Sequence, residues 1–325
     1  MAAAVLHNEL PILDDGEEPE VIEVSPDVEE LDLTRCRIKK IEDFDFLKKI
    51  SFFCLRWNLI KKIEGLSNLT TLTKLDLYDN QIEKIEGLET LVNLVELDLS
   101  FNRIQKLEGL STLVNLETLF LVHNKLEKIE GLENCTALEY LELGDNRIKK
   151  IENLENNINL RRLFLGANQI RKIENVGHLL YLDVLSLPAN ILTKMEGLDE
   201  LPHLRELYLA QNGIQRIEGV AGLRDLQILD LNHNRLEEAR GFSHLQNLTD
   251  FWAKQNKLPD WSVVDEELVL LPKIDLVYLE NNPFSENEDY RPRVIRTLPT
   301  ITRLDSDFCR AQSQNNEDED EAAAV

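Results

Sequence analysis

An asparagine recurs every 22 residues without a slip, at Asn58, Asn80, Asn102, Asn124, Asn146, Asn168, Asn190, Asn212, Asn234 and Asn256. Around each one the chain repeats a single apolar pattern, Leu72-x-x-Leu75-x-Leu77-x-x-Asn80-x-Ile82 in the third unit. The pattern extends back once to Cys36, within Leu31-Asp32-Leu33-Thr34-Arg35-Cys36-Arg37-Ile38. It extends forward once to Asn282, after a stretched spacing of 26. A unit this short cannot bury its own apolar side chains, so twelve of them must stack to share one core.

Within a unit, Leu75 and Leu77 alternate with Asp76, as expected of a short strand with its leucines inward and the acid outward. The pattern resembles the leucine-rich-repeat consensus. The fold expected is an α/β leucine-rich-repeat solenoid: a right-handed curved superhelix of twelve coils with a parallel sheet on its concave side. Its handedness follows from the rule for crossovers between parallel strands. The recurring Asn reads as structural, its amide bonding backbone where the strand ends and the chain turns. A second signature follows each Asn, Lys84-Ile85-Glu86-Gly87-Leu88 in one coil. Its fourth position is Gly, Asn or Asp throughout (Gly87, Asn153, Asn175, Asp43). Those residues best tolerate a left-handed backbone, which predicts a tight turn into a convex side of 3₁₀ or short helical segments.

The charges are periodic too. Glu64, Glu86, Glu108 and Glu130 belong to one column, with Lys62, Lys84, Lys106 and Lys128 two residues earlier. Stacked glutamates repel one another, and an adjacent basic column relieves that repulsion, so both read as a solvated face. Of the net charge of −24, thirteen units sit in two end segments: eight acids in residues 1–27 and five from Glu317 to Glu321. Neither segment contains Lys or Arg, and such composition predicts disorder. They serve either to solubilise the ends or to dock a basic partner. The expected organisation is an acidic tail over 1–27, repeats over 28–282, a C-terminal cap over 283–309 and a second acidic tail over 310–325. The stretch Val21–Val28 is a candidate shield for the first coil.

The acidic balance argues against nucleic acid or an anionic membrane as partner. No apolar run has the length of a membrane span, and the N-terminus lacks the order of a signal peptide. Cys36, Cys54, Cys135 and Cys309 are scattered, without the clustered disulfides that close secreted repeat proteins. An intracellular setting is expected. His7, His123, His178, His203, His233 and His244 show no metal-ligand spacing, and no phosphate loop or G-x-S-x-G is present. We therefore expect no enzyme, metal or cofactor.

The informative column lies four residues before each Asn, between the strand leucines. It reads Asp32, Cys54, Asp76, Asp98, Phe120, Glu142, Phe164, Ser186, Tyr208, Asp230, Trp252 and Tyr278. Folding asks nothing particular of these positions, yet five are aromatic, interleaved with acids. Asp250 and Glu206 share the outward face with Trp252 and Tyr208. Large aromatics beside carboxylates suit a partner surface rich in Lys and Arg. The competing reading is that the aromatics stack across neighbouring strands and stiffen the sheet. Glu142 between Phe120 and Phe164 speaks against it.

The 22-residue period, the Lys-Ile-Glu-Gly-Leu turn, the twelve coils and the cap together resemble the protein phosphatase 1 regulatory subunit 7 family. Within residues 28–309 the strand series Leu97-Asp98-Leu99, Leu119-Phe120-Leu121, Leu141-Glu142-Leu143, Leu163-Phe164-Leu165, Phe251-Trp252 and Val277-Tyr278-Leu279 carries the resemblance. It implies binding of the protein phosphatase 1 catalytic subunit along the concave face, with Asp98, Phe120, Glu142, Phe164, Asp230, Asp250, Trp252 and Tyr278 as contacts. The residue reading adds Tyr208. Asp250 stands where the family has Glu, keeping the charge with a shorter reach. The resemblance also implies an inhibitory or maturation-linked role in nucleus and cytoplasm, with a second small phosphatase inhibitor in a ternary complex. A scaffold of a spliceosomal or an axonemal or microtubule complex is the alternative.

Overall fold

The structure, a computed structural model, describes Ala3–Ala4 and residues 22–309. Twelve three-residue strands, from Glu30–Asp32 to Leu276–Tyr278, lie in chain order in one parallel sheet. Eleven are spaced by 22 residues, and the last follows after 26. Each pairs in register with the residue one repeat away: Leu75 faces Leu97, which faces Leu119. The coil leucines and isoleucines are almost fully buried in one continuous core. No single coil could achieve that alone.

The Asn column forms a buried ladder whose hydrogen bonds point backwards along the chain. Asn146 Oδ1 accepts from Leu126 N at 3.0 Å, and its Nδ2 donates to Leu121 O at 2.9 Å, both in the preceding coil. The same amide also donates to Leu143 O of its own coil at 3.0 Å. The set repeats from Asn58 to Asn282. Each Asn thus serves mainly the coil before it. The first coil has no repeat before it, and there Cys36 takes the Asn position, its thiol donating to Thr34 O at 3.7 Å.

The outer side is plainer than the sequence suggests. Most coils carry two successive single turns, such as Leu69 N to Leu66 O and Leu72 N to Leu69 O, rather than a continuous 3₁₀ segment. The longer final coil holds the helical pieces Val263–Glu267 and Leu268–Leu270. There the buried Glu267 carboxylate accepts from Gly241 N, Phe242 N and Ser243 N at 2.8–2.9 Å, tying the stretched coil to its neighbour.

The turn signature is left-handed, with φ +71° at Gly87, +60° at Asn153, +57° at Asn175 and +64° at Asp43. A Cβ at Gly87 would stand 2.4 Å from Ile63 O of the preceding coil. The two Asn coils turn the same close carbonyl into an acceptor: Asn153 Nδ2 donates to Ile129 O and Asn175 Nδ2 to Ile151 O, at 2.7 and 2.8 Å. Gly87→Ala is therefore expected to destabilise the fold by about 2 kcal/mol, through the left-handed backbone and the crowded carbonyl. Gly87→Asn is expected to cost less than half as much. Urea unfolding of both variants measures the difference, and equal losses would refute this account of the turn.

The charge columns form a zigzag. Lys84 reaches Glu86 of its own coil at 3.6 Å and Glu108 of the next at 3.9 Å. These side chains are largely in water, so each pair contributes under about 1 kcal/mol.

At the C-terminus, Pro283–Glu286, helix α1 (Tyr290–Thr297) and the short strands Arg303–Leu304 and Asp307–Phe308 close the solenoid. Asp305 Oδ1 accepts from Leu279 N and Glu280 N at 2.9 and 3.0 Å. Inside the solenoid a backbone carbonyl of the next strand does this, as Asp98 O does for Leu77 N. The Tyr290 hydroxyl donates to the other Asp305 oxygen.

At the N-terminus most of the acidic segment over 1–27, and residues 310–325, lie outside the described residues. Its last residues are described: Ile22–Glu23 form a short strand, Val24 is buried in the core, and Asp27 pairs with Lys49 at 2.9 Å. The ordered edge thus begins before residue 28.

Candidate partner-binding face

Register places the outward strand residues in one row. Asp98, Phe120, Glu142 and Phe164 are successive neighbours, followed by Ser186, Tyr208, Asp230, Trp252 and Tyr278. Asp250 sits two residues before Trp252 on the same side of its strand, one row over. All nine candidate residues therefore share one face. Most are half-buried; Asp230 is the deepest, at 9% exposure.

The aromatics do stack, through a partner that column-by-column reading overlooks. Tyr140, two residues before Glu142 and so on the same face, stands 5.1 Å from both Phe120 and Phe164 by ring centroid. It bridges the gap that Glu142 seemed to open, which corrects the argument against stacking. A second cluster joins Trp252 to Tyr208 at 6.2 Å and to Tyr278 at 6.0 Å. Stacking holds the rings in place without burying them, since Phe120, Phe164, Tyr208, Trp252 and Tyr278 stay partly accessible. The face thus presents two rigid aromatic platforms separated by Ser186.

The carboxylates have a local task as well. Asp98 Oδ1 accepts from Ser100 N at 2.9 Å, Glu142 Oε1 from Gly144 N at 3.0 Å and Asp230 Oδ1 from Asn232 N at 2.9 Å. Each closes the turn leaving its strand. Near Trp252, Thr249 Oγ1 donates to Asp250 Oδ2 at 2.6 Å, and Tyr208 donates its hydroxyl to Glu206 at 2.7 Å. The Trp252 indole N–H is buried and, among the described residues, meets no acceptor at good hydrogen-bond geometry, the Asp250 carboxylate lying nearby.

Burial governs these acids. It pushes Glu142 up to about 7, opposed only by the Gly144 N–H, and Asp76 up to about 6, opposed by the Tyr78 N–H and by Arg56. Burial likewise raises Asp98, Asp230 and Asp250 above the usual carboxylate range. A carboxyl whose folded value lies above its unfolded value stabilises the fold in full below the unfolded value, and the gain is lost as pH rises through the folded one. Stability is therefore expected to fall between about pH 4.5 and pH 8 by roughly 1–3 kcal/mol at Glu142. Glu142→Gln should remove that part of the slope. Urea midpoints of both proteins at pH 5 and pH 8 test this; parallel pH profiles would show that Glu142 titrates normally.

Among the described residues, no group of three or more His, Cys, Asp or Glu is placed to hold a metal ion, and no helix is long and apolar enough to cross a membrane.

The repeat profile described as Leucine Rich repeats (2 copies) matches residues 70–112, 92–134, 114–156, 136–178 and 202–244. Among solved structures, the chain is 24% identical to an internalin (inlF) from Listeria monocytogenes, with TM-score 0.76 over 92% of this chain and 93% of that one. It is 24% identical to an LRR protein of Leptospira interrogans, with TM-score 0.69 over 81% and 74%. It is 26% identical to a chain from the octameric complex of Latrophilin 3, Unc5D and FLRT2 (LRR), with TM-score 0.69 over 79% and 85%. No curated protein matches the sequence. The chain carries leucine-rich repeats and folds as a leucine-rich-repeat solenoid, a scaffold suited to protein–protein interaction.

Proposed function

We propose that this protein is a non-enzymatic regulatory subunit that binds the catalytic subunit of protein phosphatase 1 through its sheet face. The observation that carries the reading is the row from Asp98 to Tyr278: two stacked aromatic platforms flanked by half-buried carboxylates. Such a row offers apolar anchors and negative charge to one basic, folded surface. The strand series that resembles the phosphatase regulators supplies the name of that partner. Twelve strands at ~4.8 Å span on the order of 55 Å, enough for a folded protein. The FLRT2-containing complex gives a precedent of the same fold within a protein assembly. Control of the catalytic subunit's activity, maturation or localisation in nucleus and cytoplasm, with a second small phosphatase inhibitor in a ternary complex, follows from the same reading.

Surface plasmon resonance with the purified catalytic subunit tests it. At pH 8, where Glu142 is ionised, association is expected to slow as salt rises, because exposed charges are screened within ~8–10 Å at physiological ionic strength. Dissociation, set by the aromatics, should change little. Absence of binding, together with spliceosomal or microtubule proteins in pull-downs from cell extract, would overturn the proposal in favour of a scaffold.

A further inference from the structure

A second surface lies beside the first, on the edge where the chain leaves the strands of the early coils. The residue before each ladder Asn is left-handed throughout the solenoid. In most coils it is small or polar: Asp79, Asp145, Ala167, Ala189, Gln211. Trp57, Phe101 and His123 occupy the same position with φ of +53°, +56° and +55°. A bulky side chain at positive φ is costly, and the repeat does not ask for one. These rings are also not buried for the fold: Trp57 is 41% exposed and Phe101 37%.

They form a continuous ridge. Trp57 meets Tyr78 edge-on at 6.0 Å, Tyr78 lies 4.9 Å from Phe101, and Phe101 stacks on the His123 imidazole at 4.7 Å. Guanidinium groups extend it, Arg35 over Trp57 at 4.2 Å and Arg56 over Tyr78 at 4.3 Å. Arg56 is held by Asp76 and Asp98, and His123 by Asp145. Two residues beyond the ridge runs an exposed column containing Arg37, Arg103, Lys125 and Arg147. Among the described residues these four stand in no ion pair, unlike the zigzag lysines such as Lys106, three residues further along the chain. In coils seven to nine both columns lapse, to Ala167, Ala189 and Gln211 on one side and Gln169, Ile191 and Gly213 on the other. His233, Arg235 and Lys257 return to the two columns in coils ten and eleven, but among the described residues the stacked ridge and its cations occur together in the first six coils, on a chain whose net charge is −24.

We infer that this ridge is a second docking surface, for an extended acidic segment of a partner protein that carries an aromatic or aliphatic anchor. The anchor lies on the Trp57–Tyr78–Phe101 rings, and the carboxylates meet the Arg37–Arg147 column. Six coils at ~4.8 Å give five steps, or about 24 Å, the length of about seven extended residues. Charge complementarity selects an acidic ligand. A segment with carboxylates at some positions and an apolar anchor at others can spare the ridge acids Asp79 and Asp145, whereas a nucleic-acid strand brings a negative charge at every nucleotide. The surface is separate from the row around Trp252, so the inference stands or falls independently of the phosphatase reading.

The test is fluorescence anisotropy with the full chain and a fluorescein-labelled seven-residue peptide, Glu-Asp-Phe-Glu-Asp-Leu-Glu. The parent protein should bind it, and Arg103→Glu with Lys125→Glu should weaken binding at least tenfold. Trp57→Gly and Phe101→Gly remove the ring and relax the left-handed backbone. They should also weaken binding at least tenfold while leaving the melting temperature unchanged or higher. Trp252→Ala should bind the peptide like the parent. The proposal is overturned by an unbound peptide, by equal binding to ridge variants, or by a melting temperature that falls when the rings are removed. It is also overturned if a seven-nucleotide oligouridine binds more tightly than the peptide. If the peptide binds only after Asp14, Asp15, Glu17, Glu18 and Glu20 are neutralised to their amides in the full chain, the occupant is the protein's own acidic segment and not a partner.

Discussion

Replacing Trp252 with Ala is expected to weaken binding of the phosphatase catalytic subunit by roughly 2–4 kcal/mol, the range of an aromatic hot spot. Trp252 sits between Tyr208 and Tyr278, and both neighbours hold its ring at the surface. A partner therefore meets a preorganised platform and spends little entropy ordering it. Fold stability should change little, because Trp252 lies outside the core that Phe251 anchors on the other side of the same strand. Phe164→Ala and Tyr278→Ala should behave similarly. Phe164→Ala also removes a contact of Tyr140, so it should loosen Phe120 as well. Glu86→Ala and Glu130→Ala, in the solvated charge column, should bind normally. Dissociation constants and melting temperatures of the five variants decide the matter. Loss of binding in the Glu86 and Glu130 variants with retention in the Trp252 variant would place the interface on the flank instead.

Asn146→Ala is expected to cost about 3 kcal/mol of folding stability. The side chain satisfies a buried N–H at Leu126 and carbonyls at Leu121 and Leu143, and Ala leaves all three without it. Each buried polar group left unpaired costs about 1–3 kcal/mol, moderated by residual contacts and by water entering the gap. Because the ladder serves the preceding coil, damage should spread towards the N-terminus. Hydrogen exchange should therefore rise more at Leu126 N than at Ile148 N, whose acceptor Asn168 is untouched. Equal exchange at the two amides would contradict the backward direction of the ladder.

The candidate row was legible residue by residue, because alternation along a strand fixes which side chains face outward and the 22-residue period fixes which of them are neighbours. The bridge through Tyr140 was not, although alternation does put it on the same face as Glu142. Whether its ring spans two coils depends on side-chain reach and direction, which no column displays. Asp98, Glu142 and Asp230 read as free charges. Their burial depends on neighbouring coils, and so does the shift of Glu142 towards neutrality. The Trp57–Tyr78–Phe101 ridge was missed for the same reason. Its members come from two adjacent columns, and only the left-handed turn brings them into contact.

What the sequence by itself determined is everything the period repeats: the strand positions, the inward leucines, the left-handed turn and the Asn ladder. Each of these is imposed identically on every coil by backbone geometry and by the need to bury apolar surface, so one unit announces all the others. What only the tertiary structure decided lies between coils. It set the use of one close carbonyl by Asn153 in place of a glycine, the two aromatic platforms and the burial of the outward acids. These depend on the distance and angle between groups 20 to 44 residues apart, and packing fixes those only once the coils are stacked.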